Sequence, residues 1–114
     1  TMMLARAAAP PSAIIYGSAD LTLGGLEALR RESLAVPRDL SVIGFGDPHW
    51  LRIYDPGIST IGLALSESAE AAISSLLRQI DARAHGAAPG TEPSLELEPF
   101  LVLRDSTARF RGAA

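Results

Sequence analysis

The sequence predicts an α/β fold, a three-layer arrangement built on a parallel β-sheet. Three observations carry that expectation. Residues 12–17, 40–45 and 58–63 are short apolar runs rich in β-branched residues and without polar alternation, as in strands covered on both faces. A helical pattern stands between successive runs, so the order is strand, helix, strand, helix, strand, which right-handed βαβ connections turn into neighbouring parallel strands. Helix-start chemistry follows the first two runs, with Ser18 after one and Asp47-Pro48 after the other.

The elements follow in order. Residues 1–9 read as the last turns of a helix that Pro10 and Pro11 stop. They have neither the basic start nor the apolar centre of a secretory signal, so the chain is expected to be a fragment of a longer protein. After the first strand, Ser18 is the expected N-cap and Asp20 places a negative charge in the first turn, where the helix dipole favours it. Leu21, Leu23, Leu26, Ala28 and Leu29 then form one helical stripe to about Glu32, with Arg30 and Arg31 near its C-terminus. Gly24 and Gly25 each cost roughly 1 kcal/mol relative to alanine, which points to a close approach by another backbone or a subunit.

A turn at 36–39 leads into the second strand. Asp47 is expected to cap, and Pro48 to open, a short helix through Trp50 and Ile53. Asp55-Pro56-Gly57 turns the chain into the third strand. The longest helix is expected from a cap at Ser66 to about Ala84, with Leu65, Ala69, Ile73, Leu76 and Ile80 on one stripe and Ala72 and Leu77 beside it. Residues 85–93, with Gly86, Pro89, Gly90 and Pro93, read as an exposed loop. Residues 95–98 alternate like a strand with one wet face, 100–103 continue as a buried strand, and the tail from Phe110 is expected to fray.

Composition bounds the function. The 114 residues make one domain at most, and 47% hydrophobic against 20% charged residues is the balance of a globular protein rather than a disordered one. A net charge of -3 leaves no basic footprint for nucleic acid, and Arg30-Arg31 reads as a solvated helix face. With no cysteine there is no disulfide and no thiolate metal site, which fits a reducing cytosol. No apolar run approaches the ~18–20 residues of a membrane span.

Catalytic chemistry finds no constellation. His49 and His85 lack ligand spacing, so neither a metal nor a cofactor is expected. No serine sits in a Gly-x-Ser-x-Gly elbow, Gly44-Phe45-Gly46 is too short for a dinucleotide fingerprint, and there is no phosphate-binding loop. Ligands of open parallel sheets bind outside the carboxyl ends of the strands. Those ends, with the residues just beyond them, give the candidate cleft set Ser18, Asp20, Gly46, Asp47, Trp50 and Leu63. Asp47 reads first as a helix cap and second as a ligand contact. Trp50 is open between core packing, a sugar-stacking platform and a subunit contact.

Four segments then resemble one family, the LacI/GalR transcription regulators. PSAIIYGSADLTLG at 11–24 is similar to the family block PTAIxxxNDxMAxG, and LAVPRDLSVIGFGD at 34–47 to LxVPxDxSVxGFDD, the most specific of the four. YDPGISTI at 54–61 resembles xxPPLTTV, and LRDSTA at 103–108 resembles the closing xRxSTA. The blocks stand in family order and cover nearly everything from Pro10 to Ala108.

The resemblance implies the C-terminal part of a periplasmic-binding-protein-like effector domain, made of two Rossmann-like subdomains with a sugar or other small molecule between them. It also implies a dimer and an N-terminal helix-turn-helix that binds operator DNA, which this chain lacks. Position by position, Ser18 stands for an effector-binding Asn, Ala19 for an Asp, and Gly46 for the first Asp of the DD pair. Leu63 occupies an often polar position, and Ser33 replaces a helix-ending Gly. An effector less rich in hydroxyls than a hexose is therefore expected, since sugar recognition rests on buried hydrogen bonds.

The leading reading is the effector-sensing and dimerising part of a cytoplasmic transcription regulator, in chain 1–109. The alternative is a fragment of a secreted sugar-binding protein of a transporter. Leu23 and Tyr54 are the expected residues of the family dimer surface. The stripe through Leu76, whose family counterpart packs on the other subdomain, is expected to bury itself against a second copy.

Overall fold

Three parallel strands and one antiparallel strand form a single sheet in the computed structural model, which describes residues 1–86, 88 and 94–110. The strands are β1 (Ala13–Ile15), β2 (Ser41–Phe45), β3 (Ser59–Gly62) and β4 (Phe100–Val102), and they lie in sequence order across the sheet. The register pairs Ile14 with Val42, Ile43 with Ser59, and, in the antiparallel pair, Ile61 with Leu101. The helices are α1 (Met2–Ala5), α2 (Ala19–Arg31), α3 (Trp50–Ile53) and α4 (Leu65–Ala84). Two compact units result: Thr1–Gly62 with the segment from Phe100 onwards, and Leu63–Pro99.

In the first unit α2 packs on the sheet at β2. Tyr16, Leu26, Leu29, Leu40, Val42, Leu51 and Ile58 form the buried core, with Ile14, Leu34, Val36, Trp50 and Tyr54 packed around it. Ser18 caps α2 as expected, its hydroxyl accepting the Leu21 N–H at 3.1 Å, with Asp20 in the first turn and Arg30 and Arg31 in the last. The glycine pair divides into two roles. A Cβ on Gly25 would run into the Tyr16 ring, so the close neighbour is an aromatic side chain of this same chain, whereas Gly24 faces open space.

The expectation of strands covered on both faces is corrected. In β2 the burial alternates, and in β1 Ala13 and Ile15 are exposed, Ile15 at 64%. Within this unit α2 packs on the face that carries Val42 and Gly44, and Ile15 on the other face stays exposed. β4 is likewise not buried: Phe100 and Leu101 are exposed. β4 also runs antiparallel, a direction that residue types do not encode. Phe100 lies across from Gly62 and fills the space where a side chain would stand, an aromatic ring covering a strand glycine.

Other boundaries shift as well. α1 ends at Arg6, ahead of the prolines, so Pro10 and Pro11 are not what stops it. α4 begins at Leu65 with Ala64 in the cap position and no side-chain cap, so Ser66 is already inside the helix. Ser68 instead turns its hydroxyl back to the Ala64 carbonyl at 2.7 Å. Asp47 does not cap α3, whose cap position is His49. Residues 95–98 form no strand. Most of the loop expected at 85–93, and the tail at 111–114, lie outside the described residues.

The end of α2 carries a measurable strain. Ser33 has φ 57° and is the sole non-glycine residue with positive φ among the described residues. Its N–H bonds the Arg30 carbonyl at 3.1 Å while the Leu34 N–H reaches the Leu29 carbonyl at 3.0 Å, the double hydrogen bond of a Schellman ending. Holding an L-residue there costs on the order of 1 kcal/mol. Ser33→Gly is therefore expected to stabilise the chain by up to about 1 kcal/mol, read as a higher urea midpoint with an unchanged slope.

Candidate functional site

The carboxyl ends of β1 and β2 meet backbone that is already engaged. Past β1, Gly17 leads to Ser18 in extended conformation, and the Ser18 carbonyl accepts both the Thr22 N–H at 3.0 Å and the Thr22 hydroxyl at 2.7 Å. Thr22 is fully buried, and its side chain stands over Gly44 of β2, where a Cβ would be crowded. Past β2, Gly46 has φ +77° and turns the chain sharply back. Its N–H bonds the Ile61 carbonyl at 2.9 Å, and the buried Thr60 hydroxyl donates to its carbonyl.

Asp47 follows that turn and is held by two arginines. Arg104 Nη2 donates to Asp47 Oδ1 at 2.7 Å and Arg52 Nη2 to Oδ2 at 3.1 Å. Arg104 also donates from Nη1 to the Ile58 carbonyl at 2.7 Å, so one guanidinium ties the end of β2 to the start of β3. The Asp47 and Arg104 side chains are 19% and 15% exposed. Burial pushes the Asp47 carboxyl up, but the hydrogen bonds and positive charges of Arg104 and Arg52 outweigh it and hold the group below its ordinary value. Of the two roles read for Asp47, helix capping gives way in this structure to an internal ion pair.

The other candidates are not all brought together. Asp20 is exposed in the first turn of α2. Trp50 is half-buried and packs against the core. Leu63 is exposed and belongs to the second unit. Of the proposed interface residues, Leu23 is exposed on α2 and Leu76 is exposed on α4. Tyr54 lines a shallow groove of about 270 Å³ with Leu26, Leu34, Val36 and Pro56 among its walls. Among the described residues no group of three or more His, Asp or Glu side chains could hold a metal ion.

Sequence reasoning missed the polar clasp made by the closing segment. Ser106 is fully buried, accepts the Ser59 N–H at 2.7 Å and donates to the Val42 carbonyl at 2.6 Å. Its own carbonyl accepts the Val42 N–H at 2.8 Å. The Arg104 N–H bonds the Ser59 hydroxyl at 2.9 Å, the Asp105 N–H the Gly57 carbonyl at 3.0 Å, and the Ala108 N–H the Ser41 hydroxyl at 3.0 Å. One signal was available: Ser59 and Thr60 stand inside a run read as apolar, and buried hydroxyls require partners.

Known proteins carry a related domain. A profile of periplasmic-binding-protein-like domains matches residues 1–107. The chain belongs to this family. Its relatives among characterised sequences are LacI-type regulators. The HTH-type transcriptional repressor PurR of Glaesserella parasuis serovar 5 (strain SH0165) is 36% identical over 97 residues, covering 84% of this chain and 28% of the repressor. The HTH-type transcriptional regulator MalR of Streptomyces coelicolor (strain ATCC BAA-471 / A3(2) / M145) is 33% identical over 101 residues, covering 89% of this chain and 28% of MalR.

Among solved structures, an uncharacterised protein from Actinobacillus succinogenes superposes with TM-score 0.77 at 28% identity, over 95% of this chain and 37% of that one. A complex of the transcriptional regulator CelR with cellobiose superposes with TM-score 0.71 at 25% identity, over 83% of this chain and 28% of CelR. The chain thus spans little more than a quarter of the length of these regulators. In this periplasmic-binding-protein-like sheet the family signature LRDSTA has a plain physical content, since its Arg, Ser and backbone supply the partners that β2 and β3 lack.

Two outcomes follow from the clasp. Ser106→Ala strands at least one buried backbone group and is expected to cost about 1–3 kcal/mol, read as a lower urea midpoint. Asp47, with its folded-state value depressed, contributes stability that is present above the unfolded-state value near 3.8 and is lost as pH falls through the folded-state value. The stability gap between the parent chain and Asp47→Asn is therefore expected to be constant at neutral pH and to close below about pH 4 in paired denaturation curves.

Proposed function

We propose that this chain is the effector-sensing and dimerising part of a LacI-type DNA-binding transcriptional regulator that works in the cytoplasm. The observation that carries the reading is the family match over residues 1–107 together with relatives named as transcriptional repressors and regulators. Those names favour a regulator over the sugar-binding protein of a transporter, and over an enzyme. No helix among the described residues is long and apolar enough to cross a membrane. Operator DNA is reached through a helix-turn-helix outside these 114 residues, and the surface here carries a net charge of -3, unsuited to phosphate binding.

The effector binds beyond the carboxyl ends of the strands, near Ser18, Asp20, Gly46, Asp47, Trp50 and Leu63, and is a small molecule with fewer hydroxyls than a hexose. Gly46 offers no side chain, Leu63 is apolar, the Ser18 hydroxyl already accepts a helix N–H, and both Asp47 carboxylate oxygens are held by arginine. Dimerisation uses the exposed Leu23 on α2 and the Tyr54 ring beside its groove. A calorimetric titration of the longer protein with simple hexoses is expected to give affinities weaker than about 10 µM. Binding at or below 1 µM would overturn the assignment of the effector class.

A further inference from the structure

One groove of the first unit carries two charges that no described residue answers. The groove of about 270 Å³ beside Tyr54 is lined by the apolar side chains of Leu26, Leu34 and Val36, and by Arg30 and Asp55. Arg30 stands in the last turn of α2 and Asp55 in the turn between α3 and β3, and both are exposed. Neither side chain makes a hydrogen bond or an ion pair with another described residue. Glu27, on the same helix, does not compete for Arg30, because Arg31 already holds its carboxylate at 2.5 Å. The groove thus presents one positive wall, one negative wall and an apolar strip between them. Leu23, Leu26 and Arg30 succeed one another at i, i+3 and i+7 along one flank of α2. The exposed Leu23 of the proposed dimer surface is therefore continuous with the groove, and Tyr54 of that surface lines it.

We propose, resting on that dimer reading, that Arg30 and Asp55 choose the partner: Arg30 of one protomer pairs with the partner's Asp55, and Asp55 pairs with the partner's Arg30. In a two-fold contact a patch meets its own copy, so a residue i set against j is repeated as j against i. Setting Arg30 against Arg30 and Asp55 against Asp55 would bring like charges together, which opposes docking. Set crosswise, the same two side chains give two ion pairs. A related chain with the opposite charge at either position would turn one attraction into a repulsion. The groove therefore favours a second copy of this chain by what it rejects as well as by what it attracts. The apolar strip supplies contact area that many partners could share, and the two charges supply the choice among them.

The test is sedimentation equilibrium, at low salt, of the longer protein that carries this chain, with Arg30→Glu and Asp55→Arg as variants. Both positions are exposed, and circular dichroism checks that each variant keeps the parent fold. Either reversal replaces both attractive pairs of the dimer by like charges, and each is expected to raise the dissociation constant by about 10-fold or more. An equimolar mixture of the two variants is expected to form a dimer with one copy of each at close to the parent affinity, because every reversed charge then faces an opposite one. A dimeric parent that tolerates both reversals overturns the pairing and leaves the dimer reading standing. Reversals that weaken the dimer without recovery in the mixture set Arg30 and Asp55 against other groups and overturn it as well. A parent that stays monomeric at high micromolar concentration removes the dimer reading itself, and the pairing with it.

Discussion

The buried hydroxyl of Ser106 is the interaction on which the sheet depends. Parallel strands enter a sheet with N–H and C=O groups that no tight hairpin can satisfy, because a crossover separates each strand from the next. At the amino ends of β2 and β3 those groups are the Val42 amide and carbonyl and the Ser59 amide, and one residue answers all three. Burying any of them unpaired would cost free energy comparable to a lost hydrogen bond. The closing segment therefore acts as the missing rung of the ladder, and Arg104 extends the same role to the Ile58 carbonyl and the turn at Asp47.

That arrangement changes how the polar residues of the strand ends are understood. The ion pair of Asp47 with Arg104 and Arg52 fixes the sharp return after Gly46, which in turn lays α3 back over the core at Leu51. Thr60 and Thr22 add hydroxyl donors to the Gly46 and Ser18 carbonyls. Much of the polar chemistry near the carboxyl ends thus serves the scaffold. A set of strand ends poor in free side-chain donors follows from this.

Much of the fold was legible in the sequence, because apolar runs separated by helical stripes leave few alternatives for an α/β chain. Ser18 as cap and the pairing of the first three strands follow from local rules, while the helix-ending place of Ser33 came from the family resemblance. The misses have physical causes. Ile15 reads as buried because residue type reports what a position tolerates, not which neighbouring layer is present. Asp47 before Pro48 satisfies the pattern of a cap, yet an arginine 57 positions away competes for the same carboxylate and wins. The direction of β4 is set by the path of the chain after α4, and no residue in Phe100–Val102 records it. Ser106 was hidden for the same reason, since its partners lie 47 and 64 positions earlier.

That separation has a bearing on synthesis. A ribosome delivers β1, β2 and β3 long before residues 104–108 emerge, so the nascent sheet holds open amides at Val42 and Ser59 until Ser106 has been added. Contacts of such long sequence separation form late and slowly. During that interval the unfinished edge invites pairing with other chains. A product released early, before Ser106, would carry every strand of the sheet and still lack the residue that lets those strands stay buried together.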